Sequence, residues 1–140
     1  MPSIRRHIHI AAGPRRVWKS LTTADGLTSW LADEARIDAR KGGRIVLVNE
    51  DDEGNPVKEY GIIHKWRPTS HFEISWDKMG TFPTRGSKLA FQLALDGGET
   101  RLSIVHTGYG EQFDDEEKRS QLDTDWRRAL KSLQSMLDAE

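Results

Sequence analysis

With 140 residues the chain has the size of one domain, and its 21 Lys and Arg against 22 Asp and Glu leave a formal net charge of −1. This balance creates no overall field that would attract nucleic acid or an anionic membrane, and no segment approaches the roughly 20 apolar residues that a membrane-spanning helix needs. The absence of cysteine excludes disulfides, thiol nucleophiles and thiolate metal sites, and it is typical of a reducing compartment. Taken together, these properties predict one soluble, cytoplasmic domain over residues 1–140 that binds neither nucleic acid nor membranes.

The N-terminal segment is predicted to form a strand and then a helix. In residues 4–10, isoleucines alternate with basic or imidazole side chains, which is the period of a half-buried strand. Pro14 stands where the first turn of a helix tolerates proline. Val17, Trp18 and Leu21 then share one face at helical spacing, so a short helix is expected here.

A second short helix is predicted after a tight corner. Asp25 and Gly26 interrupt the apolar pattern, which resumes at Leu27. The two helices should therefore form a bent pair. Further along, the pair Gly42-Gly43 has the backbone freedom for a sharp turn into a second strand.

The middle of the chain is predicted to be a run of strands. From Gly42 onward apolar residues follow a period of two in five segments, namely GRIVLVN, EYGIIHKW, HFEISW, KLAFQLAL and RLSIVHTG. The stretches between them carry the Gly, Pro, Asp or Asn that tight turns require. We therefore expect an antiparallel sheet with one apolar face that another element must cover.

A long amphipathic helix at the C-terminal end is predicted to be that cover. Apolar side chains recur there every three or four residues, at Leu122, Trp126, Ala129, Leu130, Leu133, Met136 and Leu137. Asp114, followed three residues later by Glu117, resembles a capping box. The helix is therefore predicted to begin near Asp114.

Several short motifs in this order resemble a known family. They are Val17-Trp18, Leu21-Thr22, Trp30, Gly42-Gly43 and, in the last helix, Trp126-Arg127. The segment GIIHKWRPTSHFEISW is similar to a Gly-led strand, Pro turn and Trp-ended strand of that family, and ETRLSIVHTGYG to its His-x-Gly-aromatic segment. The chain resembles domains related to the C-terminal domain of the activator of Hsp90 ATPase, in the START and Bet v 1-like superfamily.

The resemblance implies an α+β helix-grip fold. In this fold a curved antiparallel sheet wraps around a long C-terminal helix, and two short helices follow the first strand. No catalytic signature comes with the resemblance, because the shared glycines and tryptophans are residues that make turns and pack cores. We expect no cofactor, a link with chaperones and stress responses, and a monomer or a homodimer.

A sheet that grips one helix encloses a space, which becomes an apolar cavity where side chains do not fill it. We therefore expect a small hydrophobic or amphipathic ligand to bind between the sheet and the C-terminal helix. The candidate contact residues are Trp30, Leu31, Phe72, Ile74, Trp76, Phe91, Leu93, Ile104, His106, Tyr109, Trp126, Leu130 and Leu133. Leu89 and Leu102 share the same sheet face. The alternative is that these side chains form an ordinary filled core.

His106 is the most informative polar candidate, because it continues the inward parity of Leu102 and Ile104. An inward imidazole needs a hydrogen-bond partner. Either it contacts a ligand or acts as an acid or base at the end of the cavity, or it is a core histidine paired within the protein. Tyr109 either places its hydroxyl at the same mouth or simply closes the strand end.

No metal site is expected. His7 and His9 share one strand face, but the period places them on the solvated side and nothing in the sequence brings a further ligand near them. The acidic stretch at residues 50–55 lacks the spacing of a calcium loop, so we expect it to be a hairpin tip.

The leading functional hypothesis is a non-enzymatic binding module for a small hydrophobic molecule. The alternative is a co-chaperone-like or regulatory domain that contacts a protein partner, either a chaperone or a regulator, through an exposed apolar patch around Trp66 or the MGTFP segment at residues 79–83. A weaker alternative is an enzyme, since related helix-grip domains include cyclases and dehydratases.

Overall fold

A computed structural model describes residues 3–77, 86–108 and 111–138. The first half of the chain contains two short helices among the strands, and a long helix follows the last strand near the C-terminal end. In chain order the described elements are β1 (Ser3–Ile10), α1 (Pro14–Thr22), α2 (Ala24–Trp30), β2 (Glu34–Ile37), β3 (Arg44–Glu50), β4 (Pro56–Arg67), β5 (His71–Trp76), β6 (Lys88–Asp96), β7 (Glu99–Thr107), α3 (Glu111–Asp114) and α4 (Glu116–Asp138).

The strands form one curved antiparallel sheet in the order β1-β7-β6-β5-β4-β3-β2. The first strand of the chain pairs with β7, while β2 to β7 follow one another as a meander. The long helix α4 packs against β1 and α2 on the apolar face of the sheet. The helix-grip fold expected from the sequence is confirmed.

Strand parity sorts the side chains of the central strands, as predicted. On β5, Phe72, Ile74 and Trp76 are buried, and the residues between them are partly exposed. Phe72 lies opposite Phe91 of β6, and the two rings stack with their centroids 5.0 Å apart. Each buried side chain of this size stabilises the fold by about 1.5–3 kcal/mol relative to an exposed one. The centre of the sheet is therefore held by close aromatic packing.

The corner between α1 and α2 differs from the prediction. The break falls at Thr23, and Asp25 and Gly26 lie inside α2. Thr23 caps the helix, because its Oγ1 accepts the N–H of Gly26 at 2.9 Å. A Cβ at Gly26 would lie 2.6 Å from the carbonyl oxygen of Lys19 in α1. Gly26 is therefore required because α1 and α2 approach each other closely at this position. In the sequence alone, the Asp-Gly pair resembles a turn.

The strand β2 was not predicted, because its four residues are too few for a recognisable period. The predicted turn at Gly42-Gly43 is confirmed, although it leads into the third strand rather than the second. Gly42 has a φ of 78°, and a Cβ at Gly43 would lie 1.9 Å from the carbonyl oxygen of Asp38. Only glycine fits both positions without strain.

The long helix is confirmed, but its first residue lies two positions beyond the predicted start. Asp114 ends the short helix α3, and Asp115 caps α4 by accepting the N–H of Lys118 at 3.0 Å. Two adjacent aspartates offer two possible caps, and the sequence alone does not distinguish them. No helix in the described part of the chain, α4 included, is both long enough and apolar enough to cross a membrane.

The prediction of an exposed apolar patch around Trp66 is wrong. The pairing of β4 with β5 is irregular near Lys65, which has a positive φ of 50°. Such a bulge reverses the alternation of the strand, so Trp66 turns towards the core. It is partly buried, with ring centroids 5.1 Å from Trp18 and 5.7 Å from Phe72. The other expected patch, residues 79–83, lies outside the described residues.

Candidate functional site

A cavity of about 260 Å³ lies between α4 and the part of the sheet formed by β3 to β7. Its wall is mostly apolar and it is partly open to solvent. The lining residues are Leu31, Leu47, Asn49, Glu59, Trp76, Leu89, His106, Leu122, Asp125, Trp126 and Ala129. Small-molecule sites usually have volumes of roughly 300 Å³ upward, so this cavity suits a compact ligand.

The structure places only part of the predicted contact set on the cavity wall. Leu31, Trp76, His106 and Trp126 line it, as does Leu89. Eight other candidates are buried in the packed interior and are not part of this lining: Trp30, Phe72, Ile74, Phe91, Leu93, Ile104, Leu130 and Leu133. Tyr109 lies outside the described residues.

Aromatic packing explains why the central candidates do not face open space. The ring of Phe91 contacts those of Phe72, Trp30 and Trp126, with centroid separations of 5.0, 6.5 and 6.4 Å. These rings fill the space between the centre of the sheet and the helices. The parity of a strand tells which side chains point inward, but not where along the strand their packing stops. The cavity opens where it stops, towards β3 and β4.

His106, near the end of β7, is buried, and both of its ring nitrogens are used within the protein. The indole Nε1–H of Trp126 donates to Nδ1 at 3.0 Å, and Nε2 lies 2.8 Å from Oγ of Ser87. Because an indole N–H can only donate, Nδ1 must be unprotonated. Nε2 therefore carries the proton and donates it to Ser87. These contacts agree with the interpretation of His106 as a core histidine that is hydrogen-bonded within the protein.

The same surroundings keep His106 neutral. Burial lowers the pKa of His106 to about 4, because an imidazolium would lose its hydration there. The packed rings of Phe113 and Trp126 are perpendicular to the imidazole at centroid separations of 5.2 and 5.8 Å. His106 thus serves to hold Trp126, a cavity-wall residue, in a fixed orientation.

Glu59 on β4 is the most unusual residue of the cavity, and the sequence analysis missed it. It faces inward with the parity of Gly61 and Ile63, and pairs across the sheet with Leu47 of β3. Within the described part of the chain its carboxyl group has no hydrogen-bond or ion-pair partner. The signal for it in the sequence is the alternation in EYGII, which places Glu59 on the same strand face as Gly61 and Ile63.

Burial raises the pKa of Glu59 to about 7, since nothing nearby compensates the lost hydration of the carboxylate. The side chain is partly buried, and it lines the cavity. Near neutral pH the site therefore contains a carboxyl group that keeps its proton more readily than an ordinary glutamate does. Perturbed acids in cavities are typical of functional sites, although structural groups show such shifts too.

Two further polar side chains line the cavity. Asn49 of β3 is oriented by the protein, because its Oδ1 accepts the backbone N–H of Asp33 at 3.1 Å. Asp125 of α4 is exposed at the rim and accepts a hydrogen bond from Gln121 at 3.0 Å. In the part of the chain that the structure describes, the charged groups on the wall are therefore both carboxyl groups, and no lysine or arginine lines it.

The helix that closes the cavity is attached to the edge strand β1. Arg6 donates from Nε and Nη2 to the two carboxylate oxygens of Asp123, at 2.7 Å each. Near the other end of α4, Asp138 accepts the backbone N–H of Ala11 at 2.8 Å. These contacts fix the position of α4 over the sheet, and with it the width of the cavity.

His9 on the outer face has acidic neighbours that the sequence analysis did not anticipate. Its ring lies 2.5 Å from Glu99 and 3.4 Å from Asp96, which the β6–β7 hairpin brings beside β1. The Glu99 carboxylate raises the pKa of His9. Among the described residues no group of three or more potential ligands has the arrangement of a metal site.

Comparison with known proteins gives one family. The model of the family described as "Activator of Hsp90 ATPase homolog 1-like protein" matches residues 11–138. No curated protein matches the chain.

Several solved structures share the fold. The Aha1 dimer from Colwellia psychrerythraea is 24% identical with a TM-score of 0.78, over 99% of this chain and 97% of that one. A protein from Rhodobacter sphaeroides is 23% identical with a TM-score of 0.80, over 99% and 94%. One from Nitrosomonas europaea is 17% identical with a TM-score of 0.82, over 99% and 95%. At these identities the similarity establishes the fold alone.

Proposed function

The chain belongs to the family of activator of Hsp90 ATPase homolog 1-like proteins, and from this premise we propose that it binds a small amphipathic molecule without transforming it. The observation that carries the proposal is the cavity of about 260 Å³ between the sheet and α4. Its apolar wall with a few polar groups is the usual composition of a small-molecule site.

Two tryptophans supply the main apolar surface of the site. Trp76 from β5 and Trp126 from α4 are both buried and both line the cavity. Large rigid rings contribute contact area to a ligand at a low cost in side-chain entropy. Because His106 fixes Trp126, the site is formed before a ligand arrives.

The state of His106 favours binding over catalysis. A general acid or base must exchange a proton with the substrate, and its pKa is best near the working pH. Both nitrogens of His106 are already hydrogen-bonded, and burial lowers its pKa to about 4. We therefore propose a positioning role for His106 and retain the enzyme only as the weaker alternative.

A protein-interaction role is the second candidate, and a suitable surface is less evident for it. The large apolar side chains exposed among the described residues are Tyr60 and Leu95, at 40% and 69%. Isolated exposed apolar residues are normal on a soluble surface. The Colwellia protein was solved as a dimer, and we propose a homodimer as the alternative to a monomer here.

Filling the cavity tests the binding proposal. Ala129 lines the cavity from α4 and is partly buried, so Ala129→Leu places three additional carbon atoms in the space. We expect small aromatic alcohols and amines to bind the wild type and to bind Ala129→Leu at least tenfold more weakly, with an unchanged or higher melting temperature. Affinity is measured by calorimetry and by ligand-observed NMR.

Ser132→Leu is the matched control, because Ser132 is exposed on the same helix. It should leave the affinity unchanged. Equal affinity of Ala129→Leu and the wild type would place the ligand elsewhere and contradict the proposal.

A further inference from the structure

The charge of the cavity wall is one-sided. Within residues 3–77, 86–108 and 111–138, the ionisable groups that face the cavity are Glu59 from β4, Asp125 from α4 and His106 from β7, and the histidine is held neutral. The remaining polar neighbour is the amide of Asn49 on β3. Among the described residues that line this space, a ligand therefore meets negative charge and no positive charge.

Glu59 is partly buried among apolar neighbours, and no counterion is paired with it in the described part of the chain. Leu47 lies opposite it on β3, and Trp76 and Leu89 belong to the same cavity wall. In the described part of the chain no lysine, arginine or backbone N–H is bonded to its carboxyl group. An ionised carboxylate in such a place loses part of its hydration and has no partner to compensate for that loss. A cationic ligand would supply the partner, whereas an anionic ligand would add repulsion at short range.

The rings on the wall favour the same kind of ligand. Trp76 and Trp126 both expose indole surface to the cavity. Indole faces attract cations through their quadrupole, most strongly where water is excluded. Asn49 and Asp125 add oxygen acceptors to the same wall. An ammonium group can donate three hydrogen bonds, and these acceptors match it.

Resting on the proposed binding function, we propose that the cavity selects organic cations: compact molecules with an aromatic or aliphatic body and a protonated primary amine. The ammonium group pairs with the carboxylate of Glu59, and the apolar body lies against Trp76, Leu89 and Trp126. Asp125 at the rim lowers the electrostatic cost of entry for a cation.

Three probes of nearly equal size test the selectivity: phenethylamine, phenethyl alcohol and phenylacetate. At pH 8, where Glu59 is mostly ionised, we expect the amine to bind at least tenfold more tightly than the alcohol, and phenylacetate to bind most weakly. In Glu59→Gln the preference for the amine over the alcohol should fall to less than about threefold. Glu34→Gln, at an exposed position on β2, is the matched control and should keep the wild-type preference.

Proton linkage provides an independent readout. The amine stays protonated over the range studied, so its affinity follows the ionisation of Glu59. Affinity should fall about tenfold per pH unit below pH 7 and level off above pH 8. Calorimetry in two buffers of different ionisation enthalpy should show proton release when the amine binds at pH 6.5, and none when the alcohol binds.

The outcomes separate the two proposals. If the alcohol binds as tightly as the amine, or if Glu59→Gln retains the preference, the cation selectivity is refuted while cavity binding stands. If phenylacetate binds most tightly, the charge argument is refuted. If none of the three probes binds at millimolar concentration, both proposals are refuted. An amine preference that is lost in Glu59→Gln and kept in Glu34→Gln supports the inference.

Discussion

At the scale of single residues, two ionisable groups of the cavity wall differ in their hydrogen bonding. His106 has a partner on each ring nitrogen, Trp126 and Ser87, whereas Glu59 has none in the described structure. A satisfied buried group adds rigidity, while an unsatisfied one reduces stability and is available to a ligand. His106 therefore holds the wall of the site in position, whereas Glu59 is the group that can interact with a ligand.

The indole of Trp126 sets the tautomer of His106, which gives a prediction. At pH 7 the ring should be the neutral Nε2–H form, and it should stay neutral down to about pH 4. Long-range ¹⁵N–¹H correlation spectra report both the tautomer and the titration. An Nδ1–H tautomer, or a midpoint near 6.5, would contradict the hydrogen-bond assignment. In Trp126→Phe the donor is absent, so the single tautomer should be lost.

At the scale of elements, the cavity depends on where α4 lies relative to the sheet. The bidentate pair of Arg6 and Asp123 joins the helix to β1, with side chains 35% and 36% exposed. A hydrogen bond from Arg6 lowers the pKa of Asp123. The stability that this pair contributes is therefore present above the ordinary aspartate pKa and is lost as the pH falls through the lowered one.

A double-mutant cycle should show how much this pair contributes. With Arg6→Gln and Asp123→Asn, we expect a coupling free energy of about 0.5–1 kcal/mol at 0.1 M salt, because partly exposed pairs are screened by water. The coupling should decrease in 1 M salt. Urea unfolding of the four proteins provides the measurement.

The more exposed pair of Arg40 and Asp38 is the control. Its coupling should be smaller than that of Arg6 and Asp123. A coupling of Arg6 and Asp123 above about 3 kcal/mol, or one independent of salt, would mean that the pair is more desolvated than its exposure indicates.

At the scale of the whole molecule, the two shifted groups act against each other as the pH changes. Because the pKa of His106 is lowered, the unfolded chain takes up a proton first, and stability rises with pH between about 4 and 6.5. Because the pKa of Glu59 is raised, the folded state retains a proton longer, and stability falls between about 4.5 and 7. Each shift corresponds to about 3 kcal/mol, so their effects nearly cancel in the wild type.

Single substitutions should reveal these opposed contributions. Relative to the wild type, Glu59→Gln should be stabilised by about 3 kcal/mol more at pH 8 than at pH 4.5. His106→Gln removes the other titration, so its destabilisation should be smaller at pH 4.5 than at pH 8 by a similar amount. Urea unfolding at both pH values measures these differences. A pH-independent effect of Glu59→Gln would show that the carboxyl group is hydrated in the folded state.

Local sequence patterns predicted most of the fold. The alternation in HFEISW, the three- and four-residue spacing of the last helix and the Gly42-Gly43 turn identified elements that the structure contains. Each pattern is local, because it records which side of one element is buried. The predictions failed where a local feature that the pattern does not show sets the structure. These features are the cap of α2 at Thr23, the cap of α4 at Asp115, and the bulge at Lys65 that turns Trp66 inward.

The site depended on contacts between distant segments. Sequence reasoning indicated that His106 points inward, but its pairing with Trp126 and Ser87 joins a strand, a helix and a loop through the fold. Sequence reasoning also did not show that Phe72 and Phe91 fill the centre of the sheet face, or that a cavity remains beside Glu59. The sequence by itself determined which residues face the interior, because facing is set by the period of the backbone. Only the tertiary structure decided which of them meet one another and which border a cavity, because packing depends on the register and distance of several elements at once.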